Sequence, residues 1–391
     1  MAKVSFFMGY RKMGKLDNDV AFDVLSRLQT KDLLCLKRVS KDWHHIMSDP
    51  SFIEVQSRRK EPLMGFFFQQ RFKWCFDDIK TITYIPLYRK ATQLHQNVFS
   101  FLPQQVVVLA TCNGLVCCRS CYPFEDPKVY VCNPLNKQWI EIEWPKPDKA
   151  CGIALAFDPF RDLKELSTNF KLVRVEQLAN DMEELYFSFE IYSSKTRTWK
   201  LSKEICWCNC SLFKNNGVFI GDVLHWLTDG DEILTYNVES ELSWLIPVAV
   251  PASEFTSVPE GCIGESEGRL HHVMVSDAGL HVWVLDDYFE FKWSLKHSKT
   301  IEAMEEEHPK YFCNLRERVT QRLTVDASPW VDPLAFKDGV LLMMVSTKTY
   351  WYHYETCKME EICDISKFGT NSTYCPMVFP YVMSLASLDT K

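Results

Sequence analysis

Three closely spaced cysteines are the first candidate in this sequence for a metal-binding site. Cys206, Cys208 and Cys210 alternate in the run CWCNC, so a strand would place all three thiols on one face. Three sulfurs on one face could begin a site for zinc or another soft metal. The paired Cys-x-x-Cys spacing of a structural zinc site occurs only once, at Cys118 and Cys121, with no second pair at a suitable distance. We therefore expect buried thiols here and no metal.

Histidines near residue 275 are the second candidate. His271 and His272, with His281 nearby, could supply a general base, and Asp277 lies between them. The run HHVMVSD alternates as a strand does, however, and the Asp-Ala-Gly that ends it is typical of a turn. Nothing marks a nucleophile beside its base. We expect no catalytic residue.

The sequence also lacks the signature of a phosphate-binding loop. Gly261 and Gly264 are followed by acidic residues, where such a loop has Lys followed by Ser or Thr. We expect no cofactor.

The composition describes an ordinary globular chain. The 391 residues are 47% hydrophobic and 24% charged, enough for one small and one large domain or for a single large repeat fold. A net charge of -7 argues against nucleic acid as a partner, because phosphate binding needs concentrated Lys and Arg. The basic clusters at 58–60 and 316–322 are short, and we expect them to be solvated surface.

The lengths of the apolar runs and the first residues predict where the protein is located. None approaches the ~20 residues needed to span a bilayer, so we expect no membrane partner. The opening MAKVSFFMGYRKMGK has no small-residue cleavage site after its apolar patch, so we expect no secretory signal. The 16 cysteines are then free thiols in a reducing compartment, and cytoplasm or nucleus is the expected location.

Residues 16 to 52 predict three short helices that would position a docking surface. Leu16, Val20, Val24 or Leu25, and Leu28 follow a four-residue spacing that puts them on one helix face. Further apolar residues follow in two more groups: Leu33, Leu34, Leu36 and Val39, then Trp43, Ile46 and Met47. The predicted helix caps are Asp17 or Asn18, Thr30 and Ser40, with Asp49-Pro50 as the end of the third helix.

Some forty residues are too few to bury these side chains against one another. Surplus apolar surface indicates an interaction module. The alternative is an N-terminal helical cap that packs on a larger domain.

This stretch resembles an F-box, the motif by which substrate adaptors dock on the Skp-type linker of SCF ubiquitin ligases. The matching residues are Leu16-x-x-Asp19-Val20, Val24-Leu25-Ser26-Arg27-Leu28, Lys31-Asp32-Leu33-Leu34, Arg38-Val39-Ser40-Lys41-x-Trp43 and Asp49-Pro50-x-Phe52. The resemblance implies an F-box domain at 12–56 that meets the linker and, through it, cullin and RING subunits. The implied linker contacts are Leu16, Val20, Leu25, Leu28, Leu33, Leu36, Val39 and Trp43.

The chain departs from the family pattern at two places. The family usually has proline after the first leucine and after the Ser-Arg-Leu run, where this chain has Asp17 and Gln29. Proline at a helix start pre-sets the backbone, so its loss loosens the turn without removing an apolar contact.

After a linker at 57–63, residues 64 to 388 predict an all-β domain of short strands split by Gly, Pro, Asn and Asp. An approximate repeat recurs, consisting of a strand, a polar turn and a strand that opens on a large residue. That residue is Trp139, Trp199, Trp244, Trp293 or Met359. The spacing predicts a β-propeller of about six blades, in which the large side chain fills the wedge between blades.

One other fold competes with the propeller, and the end of the chain supports a closed ring. A two-sheet sandwich is the competing fold, but some 330 residues is long for one sandwich. The run 381–388 is a strand with no partner of its own, and we expect an N-terminal strand such as 65–69 to close the ring beside it.

The β region is also similar to the F-box-associated domains of plant adaptor proteins, in NGLVCC, in VYVCNPLNKQWIEI and in the closing FPYVMSLASL. The resemblance implies a kelch-like propeller that holds substrates. The resemblance implies a non-catalytic adaptor of an SCF ligase that presents an unidentified target protein for ubiquitination. The alternatives are an F-box protein that acts outside ubiquitin transfer and a stand-alone propeller that binds a ligand or acts as an enzyme.

Two loops are candidates for the rim that meets a target, because propellers recognise partners through loops on one end. They are Ser120 to Lys128, with Tyr122 and Phe124, and Ile301 to Arg322.

Overall fold

A computed structural model describes most of the chain. The described residues are 17–57, 59–69, 82–87, 95–96, 98–123, 125–144, 147, 152–159, 168–213, 216–255, 258–312, 331–345, 348–364 and 376–388. The chain divides into two compact units, with the boundary between Arg59 and Lys60.

The first unit contains four helices where three were predicted. They are α1 (Asn18–Ser26), α2 (Thr30–Leu36), α3 (Lys41–Ile46) and α4 (Pro50–Ser57). Asp49-Pro50 was predicted as the end of the third helix, but α3 already ends at Ile46, and Pro50 is the first residue of α4, where a missing N–H costs nothing. The Asp49 carboxylate accepts hydrogen bonds from the backbone and hydroxyl of Ser51 and so supports that start.

The predicted caps are only partly correct. Asp17 and Ser40 occupy the N-cap positions of α1 and α3, but neither makes a side-chain capping bond among the described residues. Gln29 is the N-cap of α2, and Thr30 is its first helical residue. The start of α2 rests on backbone bonds, since the Gln29 carbonyl accepts from the amides of Asp32 and Leu33.

The second unit is a set of antiparallel four-stranded meanders. Its first five strands after the linker are β1 (Leu63–Gln69), β2 (Ile82–Pro86), β3 (His95–Gln96), β4 (Val106–Cys112) and β5 (Leu115–Ser120). They are followed by β6 (Lys128–Asn133), β7 (Gln138–Glu143), β8 (Gly152–Ala156), β9 (Lys171–Ala179), β10 (Leu185–Ser193) and β11 (Thr198–Trp207). The middle of the unit contains β12 (Val218–Ile220), β13 (Val223–Leu227), β14 (Glu232–Asn237), β15 (Leu242–Pro247), β16 (Glu260–Ser266) and β17 (Arg269–Ser276). The last strands are β18 (Gly279–Asp287), β19 (Lys292–Lys299), β20 (Val331–Lys337), β21 (Val340–Val345), β22 (Lys348–His353), β23 (Lys358–Asp364) and β24 (Met377–Val382), with helix α5 (Ile301–Glu307) after β19.

These strands form four separate four-stranded sheets and one eight-stranded sheet. The eight-stranded sheet consists of two meanders, β16–β19 and β20–β23, joined by a short parallel pairing of β16 with β20. At that junction Gly264 pairs with Phe336, and a Cβ on Gly264 would overlap the Phe336 carbonyl. Glycine is therefore required for the two backbones to approach this closely.

The innermost strands close a ring. Each of β4, β8, β12, β16, β20 and β24 contacts the next, and β24 contacts β4. The N-terminal strand β1 pairs with the C-terminal strand β24 over Leu63 to Gln69, which confirms the predicted closure. The strand ends at Val382, however, and the segment after it is held by side chains, since the Asn133 amide donates to the carbonyls of Ser384 and Ala386.

The repeated large residues lie on the outermost strands, as predicted. Trp139, Trp199, Trp244, Trp293 and Met359 lie at the second or third position of β7, β11, β15, β19 and β23. The Trp199 indole donates to the carbonyl of Glu143 at 2.9 Å, and the Trp293 indole donates to that of Pro247 at 3.0 Å. Both acceptors end the outer strand of the preceding sheet, so these rings join neighbouring sheets.

The turn before each large residue has a recurring geometry. The residue just before the outer strand has positive φ in all five cases, at Lys137, Arg197, Glu241, Phe291 and Cys357. Asn or Asp at the start of three of these turns accepts backbone N–H bonds, as Asn133 does from Leu135. Such side chains favour a turn of this kind because they substitute for a backbone acceptor.

Candidate functional site

Helix α1 separates its apolar residues onto two faces. Ala21 and Leu25 are buried, whereas Val20 is 51% exposed and Val24 is 49% exposed. Val20 and Val24 are four residues apart and so share one face of the helix. Of the alternatives at 24 and 25, it is therefore Val24 that continues the exposed stripe.

A small core supports this surface from beneath. Leu25, Leu33, Met47 and Phe52 are buried. The rings of Phe22 and Phe52 pack edge to face, with 5.2 Å between their centroids. Two predicted linker contacts, Leu25 and Leu33, are thus core residues of the helical unit in this conformation. Their direct contact with a partner stays a prediction.

The other predicted contacts are more accessible. Val39 is 71% exposed, while Leu28, Leu36 and Trp43 are half-buried. Leu16 lies outside the described residues. The structure adds two exposed residues that are not among the implied linker contacts, Val24 and Val55. We call the exposed set, Val20, Val24, Val39 and Val55, the apolar surface of the helical unit.

The two positions without the family prolines keep a proline-like backbone. Asp17 has φ −59° and ψ 137°, and Gln29 has φ −69° and ψ 148°. Proline fixes φ near −65°, so both residues take the angle that the ring would impose. The turns that lead into α1 and α2 therefore form without proline.

The three alternating cysteines do not share a strand face. Strand β11 ends at Trp207, so only Cys206 lies in it, and Ser243 hydrogen-bonds to its thiol. Cys208 and Cys210 follow the strand and meet Glu232, the first residue of β14. The two sulfurs and a carboxylate oxygen lie within 4.8 Å of one another, with 3.7 Å between Cys208 Sγ and Glu232 Oε2. Sequence spacing gave no signal for Glu232.

The environment of this cluster favours neutral thiols. Burial raises the pKa of Cys208 to about 12, and the charges of Cys210 and Glu232 add to this effect, while a hydrogen bond with the Cys210 backbone opposes it. Burial also raises the pKa of Cys210, and the carboxylates of Asp229 and Glu232 add to the effect. A bound cation would favour the thiolate form of both cysteines.

The histidine candidates belong to a hairpin, as their pattern predicted. His271 and His272 lie in β17, and residues 277–278 turn the chain into β18, which contains His281. Burial lowers the pKa of His272 to about 4, and burial also lowers the pKa of His271 and His281. Neutral, buried imidazoles fit a packing role. The glycine pair 261/264 lies within β16, an extended strand, where no phosphate loop forms.

The two candidate rim loops lie at one end of the ring. Four inner strands run in the same direction, because their carboxyl ends meet. Asn113 after β4 donates to the Phe157 carbonyl after β8, and Lys337 of β20 pairs with Glu265 of β16. Cys112, at the end of β4, lies close enough to Lys337 and Glu265 for their charges to act on its thiol. Links between second and third strands, and links between sheets, therefore share the opposite end. Ser120 to Lys128 and the connection that contains α5 are both of these kinds.

Parts of both loops are ordered by their own contacts. The Ser120 hydroxyl accepts from the Lys128 amide at 3.0 Å, and Tyr122 is half-exposed. Ile301 and Met304 bury one side of α5. Phe124 and residues 313–322 lie outside the described residues.

Comparisons with known proteins agree with both units. Residues 13–54 match the F-box domain, and residues 84–313 match the family described as "F-box protein At3g26010-like, beta-propeller". The relatives include three Arabidopsis thaliana proteins. F-box protein At5g49610 is 24% identical over 76% of this chain and 82% of its own length, and F-box protein At5g07610 is 25% identical over 75% and 72%. F-box protein At5g03970 is 22% identical over 88% and 82%. Among solved structures, the match to the β-propeller domain of the Trilobed protease from Pyrococcus furiosus covers 78% of this chain and 96% of that chain, with 9% identity and a TM-score of 0.37.

A four-helix F-box unit followed by a ring of four-stranded sheets defines an F-box protein with a β-propeller. The chain belongs to the family of F-box proteins with an At3g26010-like propeller. F-box domains generally bind the Skp-type linker of SCF complexes. No helix in the described part of the chain is long and apolar enough to cross a membrane.

Proposed function

We propose that this protein is the substrate-recognition adaptor of an SCF ubiquitin ligase. The observation that carries the proposal is the apolar surface of the helical unit, in a segment that matches the F-box domain. The exposed valines and the half-buried Leu28, Leu36 and Trp43 offer the apolar side chains that a partner helix or groove covers. On this proposal the helical unit docks through them on the Skp-type linker, which connects the protein to cullin and RING subunits.

The propeller then holds a target protein. We infer that each four-stranded meander is one blade, which gives a ring of six, with the eight-stranded sheet counted as two blades. The target would meet the end of the ring that contains Ser120 to Lys128 and the α5 connection, because loops on a rigid scaffold are the usual recognition surface. The protein would work in the cytoplasm, the nucleus or both.

The adaptor performs no chemistry itself. By holding the target near the charged ubiquitin-conjugating enzyme, it converts a bimolecular encounter into an effectively intramolecular one. The supporting observation is the position of the candidate residues. His271 and His272 lie in strand β17, and the glycines that were considered for a phosphate loop lie in strand β16. A stand-alone propeller that binds a ligand or acts as an enzyme is the alternative from another class.

Affinity purification with the linker and cullin as prey tests the proposal. The adaptor should recover the linker together with cullin, and Leu28→Asp or Trp43→Ala should reduce both. If the linker is recovered without cullin, the protein acts outside ubiquitin transfer by occupying the linker. If wild-type protein recovers no linker, the proposed adaptor function is wrong, and this result favours the stand-alone propeller.

A further inference from the structure

We propose that Cys208, Cys210 and Glu232 bind a zinc ion. The three side chains come from two separate segments, the residues after β11 and the start of β14, and their ligand atoms lie within 4.8 Å of one another. Two sulfurs and one carboxylate oxygen are a donor set that zinc accepts, with a fourth position left for water. Cys208 is buried, while Cys210 and Glu232 are half-buried, so an ion can enter from the surface.

The segment that contains the two thiols is held in place by neighbouring strands. The Gln177 side-chain amide donates to the carbonyls of Cys208, at 3.3 Å, and Cys210, at 3.0 Å. The Cys208 amide donates to the Leu185 carbonyl at 3.1 Å. The Gln177 side-chain oxygen in turn accepts from the Ser211 hydroxyl. Both thiols therefore start from a fixed backbone, which lowers the cost of organising a metal site.

The opposing turn is equally well organised. The Thr228 hydroxyl donates to the Glu232 carbonyl at 2.7 Å and accepts from the Gly230 amide. The Asp229 carboxylate accepts from the Ser211 amide at 2.8 Å, which ties the turn to the cysteine segment. A Cβ at Gly230 would overlap the Cys210 sulfur, so the turn approaches that thiol as closely as only glycine allows.

The local charge suits a cation. Asp229, Asp231 and Glu232 surround the Cys210 sulfur closely enough to act on it electrostatically. Binding forms two Zn–S bonds and one Zn–O bond, and the two thiol protons pass to solvent. Two thiolates and a carboxylate more than balance the charge of Zn²⁺, so the ion removes the repulsion that these acids otherwise exert on one another.

The position of the site gives it a structural consequence. Cys208 and Cys210 follow the outer strand of the β8–β11 sheet, and Glu232 belongs to the β12–β15 sheet. A zinc ion would link neighbouring sheets at the end of the ring that also contains the candidate rim loops. This proposal is independent of linker docking, which uses the helical unit.

Metal titration of the reduced, full-length protein tests the site. We expect one equivalent of zinc by elemental analysis, and cobalt substitution should give the near-ultraviolet charge-transfer band of thiolate ligation. The Cys208→Ser/Cys210→Ser variant should lose both signals, and Glu232→Gln should weaken binding by about tenfold or more. Cys206→Ser, a matched control in the adjacent strand, should bind zinc as the wild type does.

Two further results would decide against the site. Zinc that binds equally to the double-serine variant would lie elsewhere, and a disulfide between Cys208 and Cys210 in freshly purified protein would mean that the thiols pair with each other. A thermal shift on zinc addition in the wild type but not in the double-serine variant would support the link between sheets. The double-serine variant should still recover the linker, so a failed zinc site and a failed docking surface give different results.

Discussion

The side-chain amide of Gln56 donates a hydrogen bond to the backbone carbonyl of Leu28, with 2.9 Å between Nε2 and the oxygen. Gln56 is almost completely buried in α4, and Leu28 lies just after α1. The bond fixes the chain at the point where α1 passes into α2. The fourth helix is therefore part of the docking module and orders its centre.

Replacing Gln56 by Ala should loosen this point. The Leu28 carbonyl would lose a buried partner, which typically costs about 1–2 kcal/mol. Hydrogen–deuterium exchange of peptides that cover α1 and α2 should become faster in the variant. Val55→Ala, on the exposed side of the same helix, is the control and should leave exchange unchanged. Equal exchange in Gln56→Ala and wild type would contradict this role.

Restoring the family proline at position 29 should stabilise the helical unit. Gln29 already has φ −69°, so proline fits the folded backbone and mainly restricts the unfolded chain. The free energy of unfolding should rise by about 0.4–1 kcal/mol in chemical denaturation. Asp17→Pro, at φ −59°, should act similarly. A loss of stability in both variants would show that the residues before them cannot adopt the conformation that proline requires.

The hydrogen bond from the Trp199 indole to the neighbouring sheet should contribute measurably to the free energy of unfolding. Trp199→Phe keeps a ring in the wedge but removes the indole donor to Glu143, and we expect a loss of about 1 kcal/mol. Trp207 is 50% exposed and contacts Tyr186, so Trp207→Phe is a matched control on the same strand with little expected effect. Urea denaturation of the two variants gives the comparison. A larger loss for Trp207→Phe would contradict the bridging role.

Two buried histidines should make the protein sensitive to mild acid. Burial lowers the pKa of His225 to about 4, although Val218 accepts a hydrogen bond from its ring, and burial lowers that of His272 to about 4. As the pH falls below 6.5, these histidines become protonated in the unfolded chain but stay neutral in the folded protein. The free energy of unfolding therefore falls. Between pH 7 and pH 5 each histidine should cost about 2 kcal/mol.

Chemical denaturation at the two pH values measures this loss. His225→Gln should remove that residue's share of the pH dependence, whatever it does to stability at pH 7. Trp207→Phe removes no titratable group, so this variant is the control and should keep the wild-type slope. An unfolding free energy that is the same at pH 7 and pH 5 would contradict neutral, buried imidazoles.

The sequence predicted those features that depend on local patterns. The large residues on outer strands and the closing pair of β1 and β24 followed from turn residues and alternation. Helix α4 was missed because Pro50 was interpreted only as a stop signal, whereas α3 already ends at Ile46 and Pro50 begins α4. Spacing also could not distinguish Val24 from Leu25, because α1 packs on α3 and α4 and only that packing decides which face is buried.

The cysteine cluster shows a different limit. A continuous strand would have placed Cys206, Cys208 and Cys210 together, but β11 loses its partner at the pairing of Tyr186 with Trp207 and ends there. Glu232 is 24 residues from Cys208 along the chain and joins it through the contact between two sheets. Proximity of this kind depends on sheet packing, which alternation and spacing do not encode.

Calorimetry of the purified protein with the Skp-type linker tests whether the helical unit docks through its apolar surface. We predict a one-to-one complex in which Val20→Asp and Val39→Asp each weaken affinity by about tenfold or more, because a charge would be buried at the interface. Phe289→Asp, at a position 95% exposed on the propeller, should bind as the wild type does. Wild-type protein that does not bind the linker, or valine variants that bind with unchanged affinity, would contradict the account.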